Sequence, residues 1–140
     1  MLFRSEGVEG LKNGLLSALD DLVPGDSYSV IANIEGLLEL FPKFFYSFAK
    51  KRADYNIQLR TMLQDGPLTR EYIQWAEGSR EQIVLLPKDT SFMANIIVTS
   101  HRVVMPHIKP LTGAVVIENS QAVDTHQKLF EMLWGQYAQS

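Results

Sequence analysis

The 140-residue sequence contains no cysteine. A disulfide framework and thiolate metal sites are therefore excluded, and the composition suits a reducing compartment. Nowhere do eighteen apolar residues run together, and Met1-Leu2-Phe3-Arg4 turns polar too soon for the apolar core of a signal peptide. A cytoplasmic protein with no membrane partner is the expectation. A large excess of one sign of charge is missing too: the formal net charge is −3, which gives no general attraction to phosphate backbones and makes the chain by itself a poor nucleic-acid binder. The glycine-rich phosphate loops GxxxxGK(S/T) and GxGxxG and the nucleophile elbow GxSxG are all missing. Of the three histidines, His101, His107 and His126, none stands at HExxH spacing, so neither a metal nor a cofactor is expected. No internal repeat or low-complexity segment occurs.

What the sequence does have is a core. Hydrophobic residues make up 46% of it, and a chain of this length buries roughly 68–70% of its unfolded surface, enough for one domain over residues 1–140. Its last thirty residues organise it. Leu111 to Ile117 is a short β-branched run that reads as an interior strand, Glu118-Asn119-Ser120 breaks it, and Phe130, Leu133, Trp134 and Tyr137 then recur at helical spacing to cover that strand.

Upstream, Leu11, Leu15, Leu19 and Leu22 predict a first helix within Gly7–Val23, closed by Pro24-Gly25; Gly10 and Gly14 either permit close packing or delay its start. A strand alternates through Tyr28, Val30, Ala32 and Ile34. Gly36–Ala53 is helical, with a break that places Pro42 in the first turn of its main segment. The closing Lys50-Lys51-Arg52 reads as a solvated helix end suited to the helix dipole. A second strand spans Ile57–Leu63, and Thr69 is expected to cap a short helix running to Ala76. Strands over Gln82–Leu86 and Ala94–Thr99 flank the loop Pro87–Thr90, and Val103–Met105 completes a hairpin turned at Ser100-His101. Carboxylate pairs such as Asp20-Asp21 and Glu77 near Glu81 sit at turns, where solvation is the default. The alternation predicts an α/β domain with a mixed β-sheet flanked by helices.

Several stretches resemble one family. FRSEGVEGLKNGLLSALDDL, IEGLLELFPKFFYSFAKKRADYNIQLR, REQIVLLPKD and GAVVIENSQAVDTHQKLFEMLW look like the C-terminal regulatory domain of TrmB-like transcriptional regulators. The most specific marks are Ile117-Glu118-Asn119, Phe130 and Trp134; Arg52 followed by Ile57 and Arg60 is a looser one. The resemblance implies a phospholipase-D-like fold, in which the enzymes carry H-x-K and an aspartate after four more residues. Here Ser100-His101-Arg102 stands where that motif would lie. With Ser100 in the nucleophile slot, Arg102 replaces the lysine and His107 the aspartate; with His101 first, Val103 fills the lysine slot. Both frames are broken, so no catalytic residue and no enzymatic activity is expected.

The implied function is regulatory: a homodimerising module that senses a sugar or small metabolite and reaches DNA only through a separate winged helix not found in this chain, making these residues part of a longer regulator. Ser100, Arg102, Glu118 and Asn119 are the ligand-binding residues the resemblance points to. The plainer reading is that Arg102 and Glu118 form a structural pair and Asn119 caps the last helix. Two alternatives stand behind the regulatory one. The first is a pure dimerisation module, with Phe41, Phe44, Phe45, Tyr46 and Phe48 offering an apolar surface unless all but Tyr46 lie in the core; the second, a weaker one, is an active phosphodiesterase.

Overall fold

The structure is a computed structural model that describes residues 2–87, 90 and 95–138. In chain order its elements are β1 (Leu2–Glu6), α1 (Gly7–Ser17), β2 (Ser27–Ala32), α2 (Glu35–Leu40), α3 (Pro42–Asp54), β3 (Gln58–Gln64), α4 (Pro67–Trp75), β4 (Glu81–Leu86), β5 (Ile96–Val98), β6 (Val103–His107), β7 (Gly113–Ile117) and α5 (Ser120–Tyr137). The strands form one mixed sheet in the order β1-β7-β6-β5-β2-β3-β4. Helical crossovers make β2, β3 and β4 parallel, as a βαβ connection requires, and the remaining pairs are antiparallel. The predicted α/β architecture is the one observed.

Alternation along the strands sorts the core into two layers. Tyr28, Leu59, Ile97, Val104 and Val116 pack with Leu15 of α1 and Phe48 of α3. Beside them Ala32 and Leu63 meet Leu37 and Leu38 of α2, Ala49 of α3 and Tyr72 of α4. The residues between, Ile31, Met62, Val84 and Leu86, face the other way and receive Phe130, Leu133, Trp134 and Tyr137 of α5. Four helices thus cover one face of the sheet and α5 the other.

Two glycines in α1 exist for contact. A Cβ at Gly14 would overlap the Cβ of Ala114 on β7, and one at Gly10 would overlap the Ser5 backbone of β1, so α1 lies on these strands at a distance no side chain permits. Close packing, and not a late start, explains the pair. Pro42 behaves as expected: α2 stops at Leu40, Phe41 turns at φ −136°, and Pro42 opens α3 in the first turn.

Five expectations need correction. β1 was not anticipated; five residues without alternation gain strand structure only by pairing with β7. β7 is interior as expected, paired to β1 and β6, but it lies one strand from the edge and α5 packs chiefly across β2, β5 and β6 instead of over it. Thr69 does not cap α4, because the helix already begins at Pro67; the Glu35 carboxylate of α2 caps it instead, accepting from the amides of Leu68 at 3.4 Å and Thr69 at 2.6 Å. Lys50 and Lys51 are solvated, but Arg52 is buried. Glu81 is buried with it, at 2% side-chain exposure. Lys88, Asp89 and Ala94, parts of the predicted loop and strand, lie outside the described residues. Phe41, Phe44, Phe45 and Phe48 join the core clusters, and Tyr46 packs edge-on to Trp75 and against Tyr72.

Candidate functional site

The β5–β6 hairpin and the end of β7 bring part of the predicted ligand set together. Thr99 shapes the hairpin: its Oγ1 accepts from the amides of His101 and Arg102, at 3.1 and 3.0 Å, which leaves Ser100 and His101 exposed at the tip. Arg102 points inward under the C-terminal end of α1. Its Nη1 donates to the carbonyls of Ser17 (2.9 Å) and Asp20 (2.8 Å), and its Nη2 to Asp21 (2.8 Å) and Glu118 (3.1 Å). A guanidinium placed there satisfies carbonyls the helix leaves over and meets the negative end of its dipole. Asn119 is the N-cap of α5, its side chain accepting from Ala122 N at 2.9 Å. The pairing of Arg102 with Glu118 and the capping role of Asn119 are therefore both present, and Ser100 stands apart from them.

Arg102 and Glu118 do line a surface cleft of about 510 Å³ beside β1 and α1, together with Phe3, Arg4, Asn13 and Ser17. Phe3 is 42% exposed there. Charge in this region is balanced locally. The hydrogen bond from Arg102 holds the Asp21 carboxyl below its ordinary value of 3.8, against the opposing cost of desolvation and with further help from the guanidinium charge. A depressed folded-state pKa contributes stability above the ordinary value and loses it as pH falls through the folded one. Asp21→Asn, which keeps the left-handed backbone at φ +67° that asparagine tolerates, should accordingly lower Tm at pH 7, with the difference shrinking as pH falls through the lowered folded-state pKa. A difference that grew in acid would refute the assignment.

A second cluster, inside the helix-covered face, escaped sequence reasoning. Arg52, 1% exposed, donates through Nη1 to the carbonyls of Ile57 (3.0 Å) and Ser79 (2.9 Å) and through Nη2 to Glu81 (3.3 Å). Glu81 also accepts from Tyr72 at 2.5 Å and Thr61 at 2.8 Å. Burial raises the Glu81 pKa despite these partners, and it raises Tyr28 and Tyr72 above the ordinary tyrosine value. The signal was available: Arg52 follows Phe48 by four and Ala49 by three, on the buried stripe of α3.

This cluster borders a core cavity of about 40 Å³, lined besides by Asn95 and by apolar side chains such as Leu15, Phe45 and Phe48. The space admits a few waters; an engineered cavity of roughly 150 Å³ is what benzene occupies. A sugar does not fit there, so of the two places only the outer cleft has room for a metabolite. Among the described residues no group of three or more His, Asp or Glu could hold a metal, and no helix is long and apolar enough to cross a membrane.

No family model matches the sequence, and no curated protein matches it. Among solved structures the fold is similar to that of TrmBL2, described as an archaeal chromatin protein that shows a novel mode of DNA binding. The superposition has a TM-score of 0.64 at 15% sequence identity and covers 95% of this chain. It takes in 49% of TrmBL2, so the chain spans about half the length of that protein and shares its fold over that half.

Proposed function

We propose that the chain is the non-catalytic regulatory domain of a TrmB-like transcriptional regulator, phospholipase-D-like in fold, cytoplasmic, dimerising, and responsive to a sugar or small metabolite. DNA is reached through a separate domain. The observation that carries this reading is the likeness to TrmBL2, a DNA-binding protein, over nearly all of this chain and half of that one. The net charge of −3 supports placing DNA contact elsewhere.

The hairpin geometry supports a non-catalytic role. In one frame of the degenerate motif, Val103 in the lysine slot is 0% exposed and offers phosphate no charge. In the other, the Arg102 guanidinium is turned to the α1 carbonyls and to Asp21 and Glu118. The effector is assigned to the cleft of Arg102 and Glu118, which Arg4, Asn13, Ser17 and the part-exposed Phe3 also line; hydrogen-bonding groups and an aromatic in one cleft are what a sugar needs, and the volume lies in the range of roughly 300–1,000 Å³ usual for ligand pockets. Ser100 and Asn119 do not line it.

A thermal-shift screen of sugars and phosphorylated metabolites tests the assignment. A ligand at a hundred times its Kd adds about 2.7 kcal/mol of stability, and the shift should vanish in Asn13→Ala. Absence of any shift would remove the effector and leave the dimerisation module. Retardation of duplex DNA by this chain alone at physiological salt would overturn the separate-domain reading.

A further inference from the structure

Of the sheet's two edges, only one is defended. β1 carries Arg4 and Glu6, and charged side chains discourage edge pairing. β4 reads Glu81-Gln82-Ile83-Val84-Leu85-Leu86, six residues in unbroken register with β3. It has no lysine, proline or bulge, and its one charge, Glu81, is turned inward onto Arg52, Tyr72 and Thr61. Among the described residues β4 pairs with β3 alone, and such a long edge with no outward charge is a template for another strand.

The hydrogen-bond phase says which strand fits. Leu59 N donates to Arg80 O at 3.0 Å, and in a parallel ladder this phase turns the amides and carbonyls of Gln82, Val84 and Leu86 to β3. Those of Glu81, Ile83 and Leu85 point outward. Three outward residues spaced by two are self-complementary about the middle one. An antiparallel copy centred on Ile83 places Ile83 opposite Ile83 of the second copy and Glu81 opposite its Leu85, each a hydrogen-bonded pair, so every outward backbone group is satisfied. Gln82 then faces Val84. No like charges oppose one another, and the two-fold arrangement closes on itself as homodimers do.

Apolar surface continues on the helix-covered side of this strand. Ile83 joins the cluster of Tyr46 and Tyr72, whose neighbour Trp75 is 42% exposed, and Leu85 is 36% exposed. Resting on the dimerising reading above, we infer that β4 pairs antiparallel with β4 of a second copy about Ile83, joining the two sheets into one continuous sheet.

The absence of cysteine makes the test direct. Light scattering of the full chain should give twice 15.8 kDa. Hydrogen-bonded antiparallel pairs place Cα atoms about 5.5 Å apart, within disulfide reach. Ile83→Cys should thus cross-link to a covalent dimer on mild oxidation, while Arg4→Cys on the opposite edge should not. Leu85→Lys should give the monomer mass with an unchanged circular dichroism spectrum. Should that variant unfold, the cross-linking pair still decides. A monomeric wild type overturns both the dimerising reading and this interface. A wild-type dimer in which Ile83→Cys stays uncross-linked, or Arg4→Cys cross-links instead, overturns the β4 interface alone.

Discussion

Arg52→Met should cost about 3–5 kcal/mol of folding stability, the usual penalty when one member of a buried ion pair is removed and the other charge stays behind. The methionine fills much of the volume, but Glu81 is left 2% exposed without its cation, and the carbonyls of Ile57 and Ser79 lose their donor. A domain of this size has roughly 5–15 kcal/mol in total, so the loss should be plain in urea denaturation at pH 7. It should also depend on pH in a definite direction. Burial already raises the Glu81 pKa above its ordinary 4.5, and losing Arg52 raises it further. A raised folded-state pKa means that the native protein holds the proton more tightly than the unfolded chain, so its contribution is present below the ordinary value and is lost as pH rises through the folded one. The deficit of Arg52→Met should hence be smaller at pH 4 than at pH 7. Adding Glu81→Leu should recover part of it, because the stranded carboxylate is gone while the two carbonyls remain unpaired. A deficit below about 1 kcal/mol at pH 7, or a double variant less stable than the single one, would contradict this account of the cluster.

The same residue marks where sequence reading stopped. Strands β2, β3 and β4, the hairpin at Ser100-His101 and the break at Pro42 were legible because alternation, turn residues and a proline each act locally. Arg52 was not read correctly because three adjacent cations look alike in a list, although successive helical residues turn by about 100° and only the third falls on the Phe48–Ala49 stripe. β1 was invisible for a different reason: its strand character comes from β7, more than a hundred residues away. Thr69 was a plausible cap by type, yet α4 already begins at Pro67, so the amides of Glu71 and Tyr72 that it would have served lie inside the helix, and the earlier free amides, of Leu68 and Thr69, are taken by Glu35 on another helix. The hairpin site was half legible. The Arg102–Glu118 pair and the Asn119 cap followed from residue type and position, but the aim of Arg102 under α1 depends on how that helix sits on β7, which Gly14 decides and no local pattern reveals.

Phe130→Ala should cost about 3–5 kcal/mol, the range for emptying a buried phenylalanine site, and the way it fails should differ from the Arg52 variant. Phe130 is the one fully buried residue of α5. It packs with Met62 and Leu86, stacks on Trp134 at 5.6 Å, and lies under the Arg60 guanidinium at 5.1 Å. The other attachments of α5 are shallower: Arg60 grips Glu131 through both carboxylate oxygens where each side chain is a third to a half exposed, and such pairs contribute on the order of 1 kcal/mol or less. Without Phe130 these cannot hold eighteen residues against the sheet, while the other face keeps its own core. Hydrogen exchange should then show protection falling along α5 before β2 and β3, a local opening in place of uniform loosening. In a Trp75→Phe background, Trp134 emission should shift to the red in Phe130→Ala and stay near its native position in Arg60→Ala. Equal loss of protection across α5 and the sheet would mean that α5 is part of one cooperative unit and not a layer anchored at a single residue.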